Sequence, residues 1–140
     1  MVVRCNCYSL RRAARRATQL YDQLLAPCGL KATQYMVLEE VARLQPISLG
    51  ALARQMIMER ATIGKNIRPL ESSGYVRVVA GEDRRSREVL LTDEGRRVLE
   101  LAKYKWQKAQ EIFESEVGEK ESDVLRQMLS EVASIDFLSA

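Results

Sequence analysis

Histidine is absent from the 140-residue sequence. Because histidine is the side chain that most often moves protons near neutral pH, its absence removes most acid–base schemes used by enzymes. It also removes the usual nitrogen ligand of zinc. No nucleophile paired with a base and no phosphate-binding loop is recognisable. We therefore expect a protein that is not an enzyme and that holds no metal and no cofactor.

Cysteine is scarce and long apolar runs are missing. The three cysteines are Cys5, Cys7 and Cys28, an odd number that argues against a disulfide framework. No apolar stretch approaches the roughly 18 residues that a membrane helix needs, and the N-terminus lacks the apolar segment of a signal peptide. These absences predict a cytoplasmic protein, and the length predicts a single domain.

The net charge of +3 is small, but its distribution is uneven. Residues 1–47 contain 7 basic and 3 acidic side chains, and residues 48–97 contain 10 and 7. Residues 98–140 contain 5 basic and 9 acidic side chains. A polyanion would therefore meet the first two-thirds of the chain, although solvated helix faces also carry arginine runs.

Long amphipathic helices are predicted at both ends of the chain. Apolar residues recur at helical spacing in residues 8–26, 93–117 and 119–137. These helices offer more apolar surface than one small domain can cover, so the most economical burial is a two-fold dimer. We therefore predict that residues 1–31 and 96–140 form dimerisation helices.

Between them lies a central lobe, residues 32–95, with three shorter predicted helices. Thr33 is expected to cap the first of them, and Ser48 the second. The third helix is predicted over residues 59–73 and ends before Gly74, a residue type that commonly follows a helix.

A β-hairpin follows the third helix. Residues 75–79 and 88–91 are β-rich, and Gly81, Glu82 and Asp83 between them are turn-forming. Two short helices followed by a hairpin are typical of a winged helix-turn-helix. The fold class predicted for residues 1–140 is thus one mainly α domain with a small β-hairpin wing and with N- and C-terminal dimerisation helices.

The second helix of a helix-turn-helix enters the major groove of DNA. If Ile63, Ile67 and Leu70 face the core, the opposite side of this helix faces solvent. Its side chains would then reach phosphates or base edges. The alternative is that they only solvate a surface helix. The candidate DNA-binding residues here are Arg60, Thr62, Gly64, Lys65, Asn66 and Arg68.

The hairpin tip adds Asp83, Arg84, Arg85 and Arg87 to these candidates. Clustered like charges repel, so stability explains them poorly. An arginine on a protruding tip can instead enter the narrow minor groove. Asp83 is expected to orient Arg85 through a charge-assisted hydrogen bond. A solvated tip without a ligand is the alternative.

The central lobe resembles the signature of the MarR family of bacterial transcription regulators. The matching residues are Leu52-Ala53, Thr62, Leu70-Glu71, Gly74-Tyr75-Val76, Asp83-Arg84-Arg85 and Leu91-Thr92-Asp93-Glu94-Gly95. The resemblance implies a homodimer with intertwined first and last helices, bound to double-stranded DNA at a pseudo-palindromic operator. It also implies that Arg85 enters the minor groove, and that a small aromatic or phenolic effector binds between the dimer helices and the lobe. The expected function is a sequence-specific DNA-binding regulator, a repressor that the effector releases.

Residues 7–35 also resemble the organic hydroperoxide sensor branch of this family. Cys7 falls where that branch has its reactive cysteine, and Tyr21 where it has a tyrosine that binds the thiolate. At two further tyrosine positions of the branch this sequence has Arg11 and Ala32. Arg11, one turn after Cys7, would favour a reactive thiolate. Redox sensing is thus an alternative, against a cysteine that only packs.

A third alternative is a winged helix that binds protein and never touches DNA, since this fold also serves as an interaction module. The arginines of the hairpin tip disfavour it.

Overall fold

Helices dominate residues 4–139, which are the residues that the computed structural model describes. These residues form α1 (Asn6–Leu25), a short 3₁₀ helix (Ala26–Cys28), α2 (Ala32–Leu44), β1 (Ile47–Ser48), α3 (Leu49–Met56), α4 (Arg60–Ser72), β2 (Val76–Ala80), β3 (Arg87–Leu91), α5 (Asp93–Val117) and α6 (Glu119–Ala133). This order confirms the predicted winged helix-turn-helix between long terminal helices.

The start of α2 differs from the prediction. Thr33 is not the cap, because the helix begins at Ala32 and Thr33 lies within its first turn. The Asp22 carboxylate of α1 accepts from the Ala32 N–H at 2.7 Å, and Gln34 Oε1 accepts from the Lys31 N–H at 2.8 Å. The backbone N–H of Ala32 thus donates to an ionised side chain of the neighbouring helix α1. No side chain close to Ala32 in the sequence accepts this hydrogen bond.

The other predicted helix boundaries in the lobe agree with the structure to within one residue. Ser48 Oγ accepts from the Ala51 N–H at 3.1 Å and caps α3. Helix α4 ends at Ser72, and Gly74 follows with φ 79°, the left-handed conformation that glycine adopts easily.

The sheet has three antiparallel strands in the order β1-β3-β2. The hairpin was predicted, with strand ends that shift by one residue: β2 begins at Val76 and β3 at Arg87. Strand β1 was not predicted, because two residues leave no periodicity to read. It pairs Ile47 with Val89 and so attaches the start of α3 to the base of the wing.

The core lies between α2, α3, α4, the sheet and the first half of α5. Leu38, Leu52 and Val89 are fully buried at its centre. The stripe predicted to point inward from α4 is confirmed, since Ile63, Ile67 and Leu70 are all buried. On α5 the buried side chains are Val98, Ala102 and Ala109, while Trp106 packs partly against the core.

The terminal helices leave much apolar surface uncovered. Helix α6 ends at Ala133, four residues before the predicted end, where the Ser134 hydroxyl donates to the Glu131 carbonyl at 2.7 Å. Its side chains Val124, Met128 and Val132 are largely exposed in the single chain. Such an apolar face is typical of a surface that packs against another chain.

None of the helices within residues 4–139 combines the length and the apolar character needed to cross a membrane. The same residues contain no cluster of three or more potential metal-binding side chains.

Candidate nucleic-acid interface

Helix α4 presents one face to the core and the other to solvent. With Ile63, Ile67 and Leu70 buried, the side chains of Arg60, Thr62, Lys65 and Arg68 are exposed. A Cβ at Gly64 would meet no atom within 4 Å, so the surface above this residue is open. The side chains predicted to meet DNA from this helix are therefore accessible to a ligand.

Asn66 is less available than its neighbours on this face. Its side-chain amide donates to the Thr62 carbonyl at 2.9 Å, one turn earlier on α4. One of its two N–H groups is thus used within the helix, which leaves the amide oxygen and the second N–H for a ligand.

The turn between α3 and α4 is built without glycine. Ile57 takes a left-handed conformation with φ 54° and is 70% exposed, which is strained for a β-branched residue. The Met58 N–H donates to the Ala53 carbonyl at 2.9 Å and closes the turn. This closed turn sets the direction in which α4 leaves α3.

The wing loop is held by Asp83. Its carboxylate accepts from the backbone N–H of Arg85 at 3.1 Å, and its carbonyl accepts from the Ser86 N–H at 2.9 Å. The predicted bond between Asp83 and Arg85 therefore exists, but it reaches the backbone and leaves the guanidinium free. Arg84 and Arg85 lie in the loop, whereas Arg87 is the first residue of β3, opposite Ala80.

A cleft of about 180 Å³ separates the wing from the start of α3. Arg60 of α4 and Arg85 and Arg87 of the wing meet around it. Its other lining residues are Ser48, Leu49, Gly50, Asp83 and Ser86. Sequence reasoning missed the contribution of residues 48–50, although the first helix of this motif ordinarily crosses the DNA backbone.

The cations of this surface have no acidic partners. Within residues 4–139 ion pairs join Arg43 to Glu40, Arg97 to Glu94, and Arg126 to both Glu114 and Asp123. Among these described residues no ion pair involves the basic side chains of the candidate surface, which are Arg60, Lys65, Arg68, Arg84, Arg85 and Arg87. Their charge is therefore available to a polyanion such as the phosphate backbone of DNA.

Known proteins share both the sequence and the fold of this lobe. The MarR family model matches residues 30–86. The transcriptional regulator MosR of M. tuberculosis, solved in complex with DNA, is 32% identical over 94% of this chain and 99% of its own, with a TM-score of 0.78. The chain belongs to the MarR family.

Two other relatives agree with this assignment to the MarR family. The transcriptional repressor CouR, solved on a 23-mer DNA duplex, is 26% identical over 92% of each chain, with a TM-score of 0.84. The regulator SarZ of Staphylococcus haemolyticus is 26% identical over 94% of this chain and 88% of its own. The MarR family consists of dimeric DNA-binding transcription regulators, so the predicted partners of this chain, double-stranded DNA and a second copy, are confirmed.

Some residues of the MarR signature stabilise the fold and are not candidates for DNA binding. A Cβ at Gly95 would overlap the carbonyl oxygen of Tyr75, so only glycine allows α5 to start there. Thr92 Oγ1 accepts from the Gly95 N–H at 3.0 Å and donates to the Gly74 carbonyl at 2.6 Å. These four residues connect the base of the wing to α5.

The two redox candidates lie far apart on α1. Cys7 is exposed in the first turn of α1. Tyr21 donates to Gln110 Oε1 of α5, and partial burial together with the nearby Glu114 carboxylate raises the pKa of its phenol. Fourteen helical residues place Cys7 and Tyr21 about 21 Å apart, so within one chain they do not meet.

The cap of α1 is a cysteine that the prediction overlooked. Cys5 Sγ accepts from the Tyr8 N–H at 3.4 Å and is exposed. The first helix was predicted to begin at residue 8, whereas α1 begins at Asn6 directly after Cys5, and cysteine is not a residue type that commonly caps a helix.

Proposed function

We propose that this protein is a repressor that occupies an operator through α4 and the wing and leaves it when a small aromatic acid binds. The observation that carries the proposal is that six exposed basic side chains of α4 and the wing have no acidic partner among residues 4–139. Such a repressor would act in the cytoplasm, where bacterial DNA lies.

The assignment of contacts follows from geometry. Thr62, Lys65 and Arg68 face outward from α4 and would enter the major groove. Arg85 on the wing loop would enter the adjacent minor groove. In a two-fold dimer these contacts repeat in both half-sites, which accounts for a pseudo-palindromic operator. Residues 32–95 would bind DNA, and residues 1–31 and 96–140 would form the dimer interface.

A cavity beneath the recognition helix supports release by a ligand. It measures about 300 Å³ and lies between α1, the start of α2 and α4. Lys31 and Lys65 line it together with one carboxylate, Asp22, which already accepts a hydrogen bond from the Ala32 N–H. Two cations against one such carboxylate favour a small anion, and the size of the cavity suits a carboxylate or phenolate of one aromatic ring. Because Lys65 also faces the proposed DNA surface, an anion in the cavity would compete with DNA for its charge.

The experiment is a thermal-shift screen of salicylate, 4-hydroxybenzoate and p-coumarate, followed by anisotropy with labelled DNA from upstream of the gene. A ligand that binds the folded state raises the melting temperature, and we expect the same compound to release the DNA. Lys31→Ala should retain DNA binding but lose the response, whereas Lys120→Ala on α6 should retain both. DNA binding that none of the acids weakens would contradict release by this class of effector.

Thiol oxidation is a second candidate trigger, favoured by the position of Cys5 and Cys7 at the exposed start of α1. One thiol and one hydrogen peroxide would give a sulfenic acid and one water. Any contact with Tyr21 would have to come from the second protomer and would displace Gln110.

Peroxide titration of DNA binding tests this candidate. Cys7→Ser should leave affinity unchanged but remove the loss of binding on oxidation, and Cys5→Ser tells which thiol is attacked first. Cys28→Ser, at a half-buried position away from α1, is the matched control. Wild-type DNA affinity that peroxide leaves unchanged would exclude a redox trigger.

A further inference from the structure

The outer face of α5 carries large apolar side chains that nothing covers within residues 4–139. Leu101 is 65% and Tyr104 76% exposed, one turn apart. At 100° per residue, Tyr104 lies about 160° from the buried Ala102, and Leu101 lies between Tyr104 and the buried Val98. A shallow open depression of about 640 Å³ surrounds Leu101 and Tyr104, so this patch can receive another surface.

The charges around Tyr104 form a pattern that is complementary to itself. Glu100 lies four residues before Tyr104, and Lys108 lies four residues after it. Arg97 lies seven residues before Tyr104, and Glu111 lies seven residues after it. Charges of opposite sign thus occupy equal distances on the two sides of one tyrosine.

These positions share one side of the helix. At 100° per residue, Arg97, Glu100, Tyr104, Lys108 and Glu111 fall within an arc of about 80°. All five are exposed. In an antiparallel two-fold contact, each residue faces the residue equally far on the other side of the axis. A contact centred on Tyr104 would therefore place Glu100 opposite Lys108 of the second copy, and Arg97 opposite its Glu111.

We propose that α5 packs against α5 of the second copy in an antiparallel crossing centred on Tyr104. The patch is continuous with the exposed apolar surface of the terminal helices through Ile112, which lies further along the same side of α5. The inference rests on the homodimer of the family and not on the effector. Because α5 starts at the wing, this crossing fixes the separation of the two recognition helices.

Cross-linking tests the crossing directly. In a background with Cys5→Ser, Cys7→Ser and Cys28→Ser, we expect Tyr104→Cys to form a covalent dimer with diamide, because the two copies meet at the axis. Glu116→Cys is the matched control: it is exposed on the same helix, but its two copies would lie about 36 Å apart. An intact dimer in sedimentation that does not cross-link at position 104 would overturn the proposal.

Charge reversal tests the register. Glu100→Lys or Lys108→Glu alone places like charges opposite each other and should lower the cross-linking rate about threefold to fivefold, the size of an exposed ion pair. The double variant reverses both partners and should restore the rate. A double variant as slow as the single ones would refute the register. Neither measurement uses DNA or an effector, so failure here is distinct from failure of the proposed repression.

Discussion

The central lobe and the terminal helices differ in what each can bury alone. In the lobe, Leu38, Leu52 and Val89 are fully enclosed within one chain. On α6, Met128 and Val132 remain largely exposed although they recur at the same helical spacing. An apolar stripe therefore forms part of a buried core in the central lobe, whereas in the terminal helices it forms a surface that a second chain would cover. The lobe can be completed by its own sequence, whereas the terminal helices need another chain.

The strongest way to separate the two regions is to break the interface. Met128→Asp with Val132→Asp should convert the dimer to a monomer that retains the helical circular dichroism of the lobe. DNA affinity should fall about 10²- to 10⁴-fold, because linkage of two half-sites is lost. Sedimentation and anisotropy measure the two effects. A dimer that survives both aspartates would show that α6 is not part of the interface.

The second test compares two positions on α2. Leu38→Ala should lower the free energy of unfolding by about 2 to 5 kcal/mol, since it opens a cavity in the core. Met36→Ala, two residues away and 49% exposed, should change it by less than about 0.5 kcal/mol. Urea denaturation measures both. A large effect at Met36 would mean that this side of the lobe is also covered in the dimer.

On the DNA side, Arg85→Ala should weaken operator binding by about 1 to 3 kcal/mol without a change in stability, as expected for loss of a groove contact. Arg43→Ala removes an exposed arginine that already has a partner, Glu40 at 2.5 Å, and should leave affinity unchanged. Equal affinities for the two variants would contradict the role of the wing.

The smallest expected effect concerns salt. Lys65→Ala and Arg68→Ala should each reduce the slope of log affinity against log salt by about 0.9 if each side chain neutralises one phosphate. Lys120→Ala, on α6, should leave the slope as it is. A slope that neither α4 variant alters would assign Lys65 and Arg68 to base contacts or to no contact.

Sequence patterns predicted most of the lobe because its decisive signals are local. Ser48 and Thr92 cap the helices that they precede, and Ile63 and Ile67 repeat at helical spacing. Thr33 was assigned wrongly because the group that satisfies the start of α2, Asp22, comes from another helix. Tertiary partners of this kind leave no trace in a local window.

The candidate site shows the same limit. The outward residues of α4 and the arginines of the wing follow from periodicity and turn chemistry. Arg60 and Arg87 line the same cleft because of the way α3, α4 and the sheet pack together. The periodicity of the sequence does not predict this packing. The capping role of Cys5 was not predicted, because the first helix was expected to begin at residue 8 and α1 begins at Asn6.

The close approach of Gly95 to Tyr75 couples any movement of α5 to the wing. Without a side chain to separate them, the base of the wing and the first turn of α5 must move as one piece. The 11 residues between the proposed crossing at Tyr104 and the start of α5 extend about 16 Å, so a tilt of about 10° at the crossing displaces the wing by about 3 Å. A shift of that size is enough to withdraw an arginine from a groove, so a change at the dimer interface would reach the DNA through the first half of α5.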